Sequence, residues 1–166
     1  MELTRGMNRS SRLMQQLLPL LLDWLSQAPD PDLGLLVVRN LLSGPGGRTL
    51  AETFRDSPAA AQSLCAMVGT SRLLGEILSH NPDLVARLPD PNRLTTKDRA
   101  GLVATATAAV RLRTGRAEHQ SSLRRWQRRN LLGIAARDVL GHADVHEVGS
   151  DLTSLAEATL EAALAA

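Results

Sequence analysis

A chain of 166 residues is long enough to bury most of its apolar side chains in a core, and with 2% aromatics and no tyrosine that core must pack through alanine and leucine. An all-α protein is expected. The net charge of +2 conceals an asymmetry: residues 111–137 hold eight arginines and one acid, Glu118, whereas residues 138–166 hold six acids and no Lys or Arg. If the two runs pack side by side they neutralise each other, which weakens the basic balance as a sign of nucleic-acid binding.

Other classes are excluded residue by residue. Cys65 is alone, so no disulfide framework exists, and its neighbours Leu64, Ala66, Met67 and Val68 predict a buried thiol in a reducing, cytoplasmic setting. The Leu17 to Leu25 run is broken by Pro19 and Asp23 and falls far short of the roughly 20 apolar residues of a membrane span. Its flanks lack the small-residue cleavage site of a signal peptide, so neither export nor a membrane partner is expected.

In chain order, residues 1–8 read as a disordered leader without helical period. Ser10 or Ser11 caps a first helix to about Gln27, with Pro19 expected to kink or restart it. Asp30 as N-cap with Pro31 after it begins a second helix, whose Leu33, Leu35, Leu36, Val38, Leu41 and Leu42 predict burial all round. The Ser43 to Gly47 loop, SGPGG, lacks the spacing that places backbone N–H groups around a phosphate and reads as a helix end and turn. Ser57-Pro58, Thr70-Ser71 and Asn81-Pro82 each look like an N-cap and first turn. Between them Leu73, Leu74, Ile77 and Leu78 form one apolar stripe, with Gly75 allowing a close helix approach.

Leu88-Pro89-Asp90-Pro91-Asn92 is the clearest boundary, because two prolines so close forbid a continuous helix. It separates a short-helix subdomain over residues 9–90 from a long-helix bundle over residues 91–166, packed on it as one globular unit. Thr95 or Thr96 caps the first long helix, with Asp98 in its first turn, and Gly115 breaks it. The second runs from about Ala117 to Leu140, closed by Gly141. Asp144-x-x-Glu147 has capping-box spacing and starts the third, Val145 to about Leu164. The whole is a helical bundle, several short helices followed by about three long antiparallel ones.

The second long helix carries the most unusual pattern. Leu123, Trp126, Leu131, Ile134 and Ala135 share one face of a 3.6-residue helix, while Arg124, Arg125, Arg128 and Arg129 gather on the other. Those four arginines are the candidate interaction surface; the plainer reading is a solvated face with salt bridges.

The chemistry-bearing motifs reduce to structural ones. His142 and His146 are four apart, but Gly141 and the Asp144 cap put a helix break between them, which spoils a metal site. His80 suits the C-terminal turn of its helix, and His119 shows no partner. Ser121-Ser122 read as an N-terminal turn. No nucleophile stands beside a base, so no catalytic, cofactor-binding or metal-ligating residue is expected.

Two stretches carry a resemblance. LRRWQRRNLLGIAARDVL, running on through Asp144-Val145 and Leu152-Thr153 to the LAEATLEAAL segment, resembles the helical region that leads into a catalytic domain of the bifunctional glutamine synthetase adenylyltransferase/adenylyl-removing enzymes. Gly69-Thr70-Ser71-Arg72, followed by Leu73, Leu74, Ile77, Leu78, Asn81-Pro82 and Leu84, is similar to an upstream motif of the same family. Together they cover about Leu13 to the last residue. The resemblance implies a parent nucleotidyltransferase that uses ATP and Mg²⁺ to attach AMP to a tyrosine of glutamine synthetase and removes it by phosphorolysis. This segment would be a central, non-catalytic linker that positions the adjoining nucleotidyltransferase domains and relays nitrogen status, with glutamine synthetase and a PII-type signalling protein as partners.

The family's metal site pairs Gly-Ser with a downstream Asp-x-Asp. Gly149-Ser150-Asp151-Leu152 looks like part of it, but Thr153 stands where the second carboxylate belongs and the surroundings read as helix. Two other readings use the same fold. One is a nucleic-acid-binding module with the four arginines on phosphates, opposed by the acidic run after that helix and by the scarcity of Asn and Gln on that face. The other is a freestanding helical adaptor.

Overall fold

The computed structural model describes residues 16–111, 113 and 115–165. The expected leader over residues 1–8, the Ser10 or Ser11 cap and Leu112 lie outside the described residues. Among those described, the regular structure is helical throughout, with no strand. In order these are α1 (residues 16–26), α2 (Pro31–Ser43), α3 (Gly47–Asp56), α4 (Pro58–Val68), α5 (Arg72–His80), a 3₁₀ segment (Pro82–Arg87), α6 (Pro91–Leu94), α7 (Arg99–Arg111), α8 (Arg116–Val139) and α9 (Val145–Leu164). The chain divides into two compact units between Arg93 and Leu94.

In the first unit the helices are short because punctuation residues stop and restart them. α1 runs on through Pro19 without a new start. The Asp30 Oδ1 accepts the Leu33 N–H at 2.9 Å and Pro31 comes next in the first turn, so α2 begins where the sequence places it. α2 is nevertheless not buried all round: Val37, Val38 and Leu41 face inward, while Leu35 and Leu36 are 42% and 51% exposed. It packs on α3, α4 and α5 through one side only, and Asp32, Arg39 and Asn40 take the outer side with those two leucines. The SGPGG loop is a turn, with Gly44 extended at the end of α2 and Gly46 opening α3.

Gly75 allows the expected close approach, since a Cβ there would stand 2.8 Å from Val37 Cγ2. Leu74, Ile77 and Leu78 line the core beside it, but Leu73 turns outward. Ser57 Oγ accepts the Ala60 N–H at 3.3 Å and caps α4. Ser71 precedes α5 without a side-chain capping bond. Asn81 likewise does not cap the 3₁₀ segment: its Nδ2 donates to the Ile77 carbonyl at 2.8 Å and so closes α5. Phe54, Leu64, Met67, Leu78 and Leu88 are wholly buried, as is Cys65. Burial pushes the Cys65 thiol up to about 12, which keeps it protonated and unreactive at neutral pH.

The second unit is a three-helix bundle in which α7, α8 and α9 all touch one another. Asp98 Oδ1 accepts the Gly101 N–H at 2.9 Å, so the residue that caps α7 is Asp98 rather than Thr95 or Thr96. A carboxylate is also the better partner for the positive end of a helix. Trp126 Nε1 donates to Thr105 Oγ1 at 3.3 Å, and Leu123 packs with Ala106, Val110 and Ala162. These pairs set α8 antiparallel to α7, and the Arg137 to Asp151 bond at the other end sets it antiparallel to α9.

Gly115 and Gly141 have φ of +117° and +73°, the left-handed region that glycine enters freely. At the end of α8 the His142 N–H donates to the Arg137 carbonyl and the Gly141 N–H to the Asp138 carbonyl, a Schellman closure. Asp144 Oδ1 then accepts the Glu147 N–H at 2.8 Å while Glu147 Oε2 accepts the Asp144 N–H at 2.9 Å, the reciprocal capping box that starts α9.

A candidate interaction surface on the second bundle helix

The position of the arginine face is set by what the other side of α8 must bury. Leu123, Leu132, Ile134 and Ala136 are buried and Trp126 is half-buried, whereas Leu131 and Ala135, expected inside, are only half-covered. The shift reflects a second half of α8 covered on more than one side: at Gly133 a Cβ would lie 3.5 Å from the Leu94 carbonyl. In the first half only one arc is covered. Arg124, Arg125, Arg128 and Arg129 therefore stand exposed together, the four brought to one surface as the sequence pattern predicts.

Ser121 and Ser122, read as an N-terminal turn, lie inside α8, which begins at Arg116. Ser122 is buried, and Arg125 Nη2 donates to its hydroxyl at 3.2 Å. His119 also gains a partner that the sequence did not reveal, its Nε2 lying 2.9 Å from the Arg113 carbonyl. His80 Nδ1 sits 2.8 Å from the Glu76 carbonyl in the last turn of α5.

The acidic helix α9 does lie against the basic helix α8, and it forms ion pairs with Arg137 and Arg99. Arg137 Nη1 donates to Asp151 Oδ2 at 2.6 Å, with Glu147 Oε1 4.0 Å from its Nη2, and the Arg137 and Asp151 side chains are both largely covered. On the other edge Arg99 of α7 reaches Glu157 at 2.6 Å and Glu161 at 3.2 Å. The hydrogen bond to Glu157, then the charges of Glu157 and Glu161, hold the Arg99 guanidinium still further above its ordinary range. Among the described residues Arg124 and Arg128 make no ion pair. Arg99 and Arg137 were not singled out in the sequence. Glu157 and Glu161, four apart on one helical face, were the available signal.

The Gly149-Ser150-Asp151 look-alike lies within α9. Asp151 is held by Arg137, which Glu147 also approaches, and Thr153, where a second carboxylate of the motif would stand, donates its Oγ1 hydrogen to the Gly149 carbonyl at 2.8 Å. Among the described residues no group of three or more His, Cys, Asp or Glu side chains is placed to hold a metal ion. His142 lies in the turn after α8 and His146 in the first turn of α9, on either side of the helix break. These residues do not fit Mg²⁺ on a nucleotide. Among the described residues, no helix is long and apolar enough to cross a membrane.

The class is thus an all-α protein that joins a unit of short helices to an ion-paired three-helix bundle. The family model described as glutamate-ammonia ligase adenylyltransferase matches residues 61–166. A bifunctional glutamine synthetase adenylyltransferase/adenylyl-removing enzyme of Mycolicibacterium smegmatis is 37% identical over 166 residues, covering 98% of this chain. Proteins of the same name from Cutibacterium acnes and Mycobacterium tuberculosis are 34% and 38% identical, over 99% and 94% of the chain. The chain belongs to the glutamate-ammonia ligase adenylyltransferase family. It spans 17% of the length of the Mycolicibacterium and Cutibacterium relatives and 16% of the Mycobacterium one. No solved structure matches it.

Proposed function

We propose that this chain is a non-catalytic central helical segment of a glutamine synthetase adenylyltransferase. It holds the adenylylating and deadenylylating nucleotidyltransferase domains in position and relays nitrogen status between them, while ATP and Mg²⁺ are handled elsewhere in the parent enzyme. The observation that carries the reading is the state of Asp151. The one carboxylate in a Gly-Ser-Asp sequence is inside a helix and bound to Arg137 at 2.6 Å, where it secures α9 to α8.

A bundle fastened at both edges by arginine to carboxylate pairs moves as a unit, which is what relaying a shift from one end to the other requires. The exposed Arg124, Arg125, Arg128 and Arg129 are the face offered to an acidic surface, whether of an adjoining domain, of glutamine synthetase or of a PII-type signalling protein. Isothermal calorimetry of the chain with ATP and Mg²⁺ tests the proposal. No heat of binding is expected, and saturable binding or AMP transfer by the chain alone would overturn it.

One observation favours a second reading, a nucleic-acid-binding module. The acids of α9 are engaged by Arg99 and Arg137, so Arg124 and Arg128, which pair with no acid among the described residues, are left to meet phosphates. A gel shift with random duplex DNA at low salt separates the two. Tight binding that collapses as salt rises would promote the second, and its absence leaves the domain-positioning reading in place. A freestanding adaptor differs from the first reading only in its partner.

A further inference from the structure

α9 has a wider apolar arc than the bundle uses. Leu155, Ala158 and Ala162 are buried against α7 and α8. On the arc that begins beside this buried face at Leu152 and runs round to the far side at Leu164, Val145, Gly149, Leu152, Ala156, Leu160 and Leu164 succeed one another at intervals of three or four residues and are all exposed, Leu160 by 64% and Leu164 by 89%. Glu147, Asp151, Glu157 and Glu161 keep to the remaining arc, where Arg99 and Arg137 meet them, so the stripe carries no charge along its length. A helix whose apolar arc extends this far beyond the part its own bundle covers is built to have the rest covered too.

We infer that this outer stripe of α9 is the seat of an apolar face from another part of the full-length adenylyltransferase. The inference rests on the reading of this chain as a segment of that enzyme. Two observations choose that occupant over a second copy of the chain. The stripe is narrow: a 20-residue helix offers a strip about 30 Å long and about 10 Å wide, on the order of 300 Å². Stable association of separate molecules takes roughly 800 Å² from each partner.

The second observation is length. Relatives that match nearly the whole chain carry it as 17% of a much longer polypeptide. Contacts within one polypeptide benefit from an effective concentration on the order of millimolar, so a small uncharged seat suffices there. The occupant is accordingly a helix or strand face of aliphatic side chains, without charge where it meets Leu152 and Leu160.

The test uses thiol labelling read at the substituted position by peptide mass, with buried Cys65 silent in the isolated chain. Leu152→Cys, Leu160→Cys and, as control, the exposed Ser150→Cys are made in this chain and in the full-length enzyme that carries it, with helicity checked by circular dichroism. At Leu152→Cys and Leu160→Cys the labelling rate should fall at least tenfold in the full-length enzyme relative to the isolated chain. At Ser150→Cys it should be alike in both. Equal rates in the two forms overturn the inference. So does protection already present in the isolated chain: if it grows with concentration the occupant is a second copy, and if it does not the chain covers the stripe itself. The calorimetric test of the proposed function has a separate readout, so failure of one is distinguishable from failure of the other.

Discussion

The two units make helical cores by opposite means. Before Arg93 the interior is filled by large side chains, among them Phe54, Leu64, Met67, Ile77 and Leu78, and glycines let short helices approach one another, as Gly75 does with Val37. After Leu94 only Leu102 and Ile134 rank among the largest wholly buried side chains of the described residues. Ala106, Ala136, Ala158 and Ala162 form the contact instead, with ion pairs at the edges. A core of large side chains stores its stability in volume; an alanine seam stores it in closeness. The same substitution should therefore act differently in the two units, and enlarging a residue should do in the second what truncating one does in the first.

The largest effect is expected at Phe54. Truncation in a filled core loses the transfer of the ring and leaves a cavity, so Phe54→Ala should destabilise the chain by about 3–5 kcal/mol in urea denaturation monitored by circular dichroism. In the bundle the damaging change runs the other way. Ala158→Leu adds volume where α9 meets its neighbours and should cost about 1–3 kcal/mol by the same measurement. If Ala158→Leu were neutral, the seam would be looser than an alanine contact requires, and the contrast between the units would fail.

The edges of the bundle sharpen the contrast next. Arg137→Ala leaves Asp151 largely covered without its partner, and because the pair is partly rather than fully buried a loss of about 1–3 kcal/mol is expected in Tm-based stability. Arg99→Ala removes an exposed pair on the other edge, and its Tm should fall by clearly less. Asp144→Ala removes one half of the capping box and should cost about 0.5–2 kcal/mol, read as lost helicity and a lower Tm.

What was legible in the sequence was what a few adjacent residues decide. The Asp30-Pro31 start, the Gly141 closure and the Asp144 to Glu147 capping box are local hydrogen-bond arrangements, and their residue types allow little else. The four-arginine face was legible because a regular helix fixes which side chains share a side. The pairs that fasten the bundle were not: Arg99 to Glu157 spans 58 residues, and its partners depend on how far one helix is slid along another. Leu132 replaced Leu131 in the core for a related reason. One helical period describes a single buried arc, and the second half of α8 has more than one.

The smallest expected effect distinguishes two kinds of arginine on one helix. Arg137 is neutralised by Asp151, so removing it takes away an attraction. Arg124 and Arg128, four residues apart and unpaired among the described residues, repel each other, and like charges at that spacing cost a few tenths of a kcal/mol. Arg128→Gln should therefore leave the chain as stable as before or stabilise it by about 0.2–0.5 kcal/mol, a change opposite in sign to that of Arg137→Ala. The gain should shrink as salt screens the repulsion. A clear loss of stability for Arg128→Gln would mean that the face is consumed in holding the bundle, and that it is not free to receive an acidic partner.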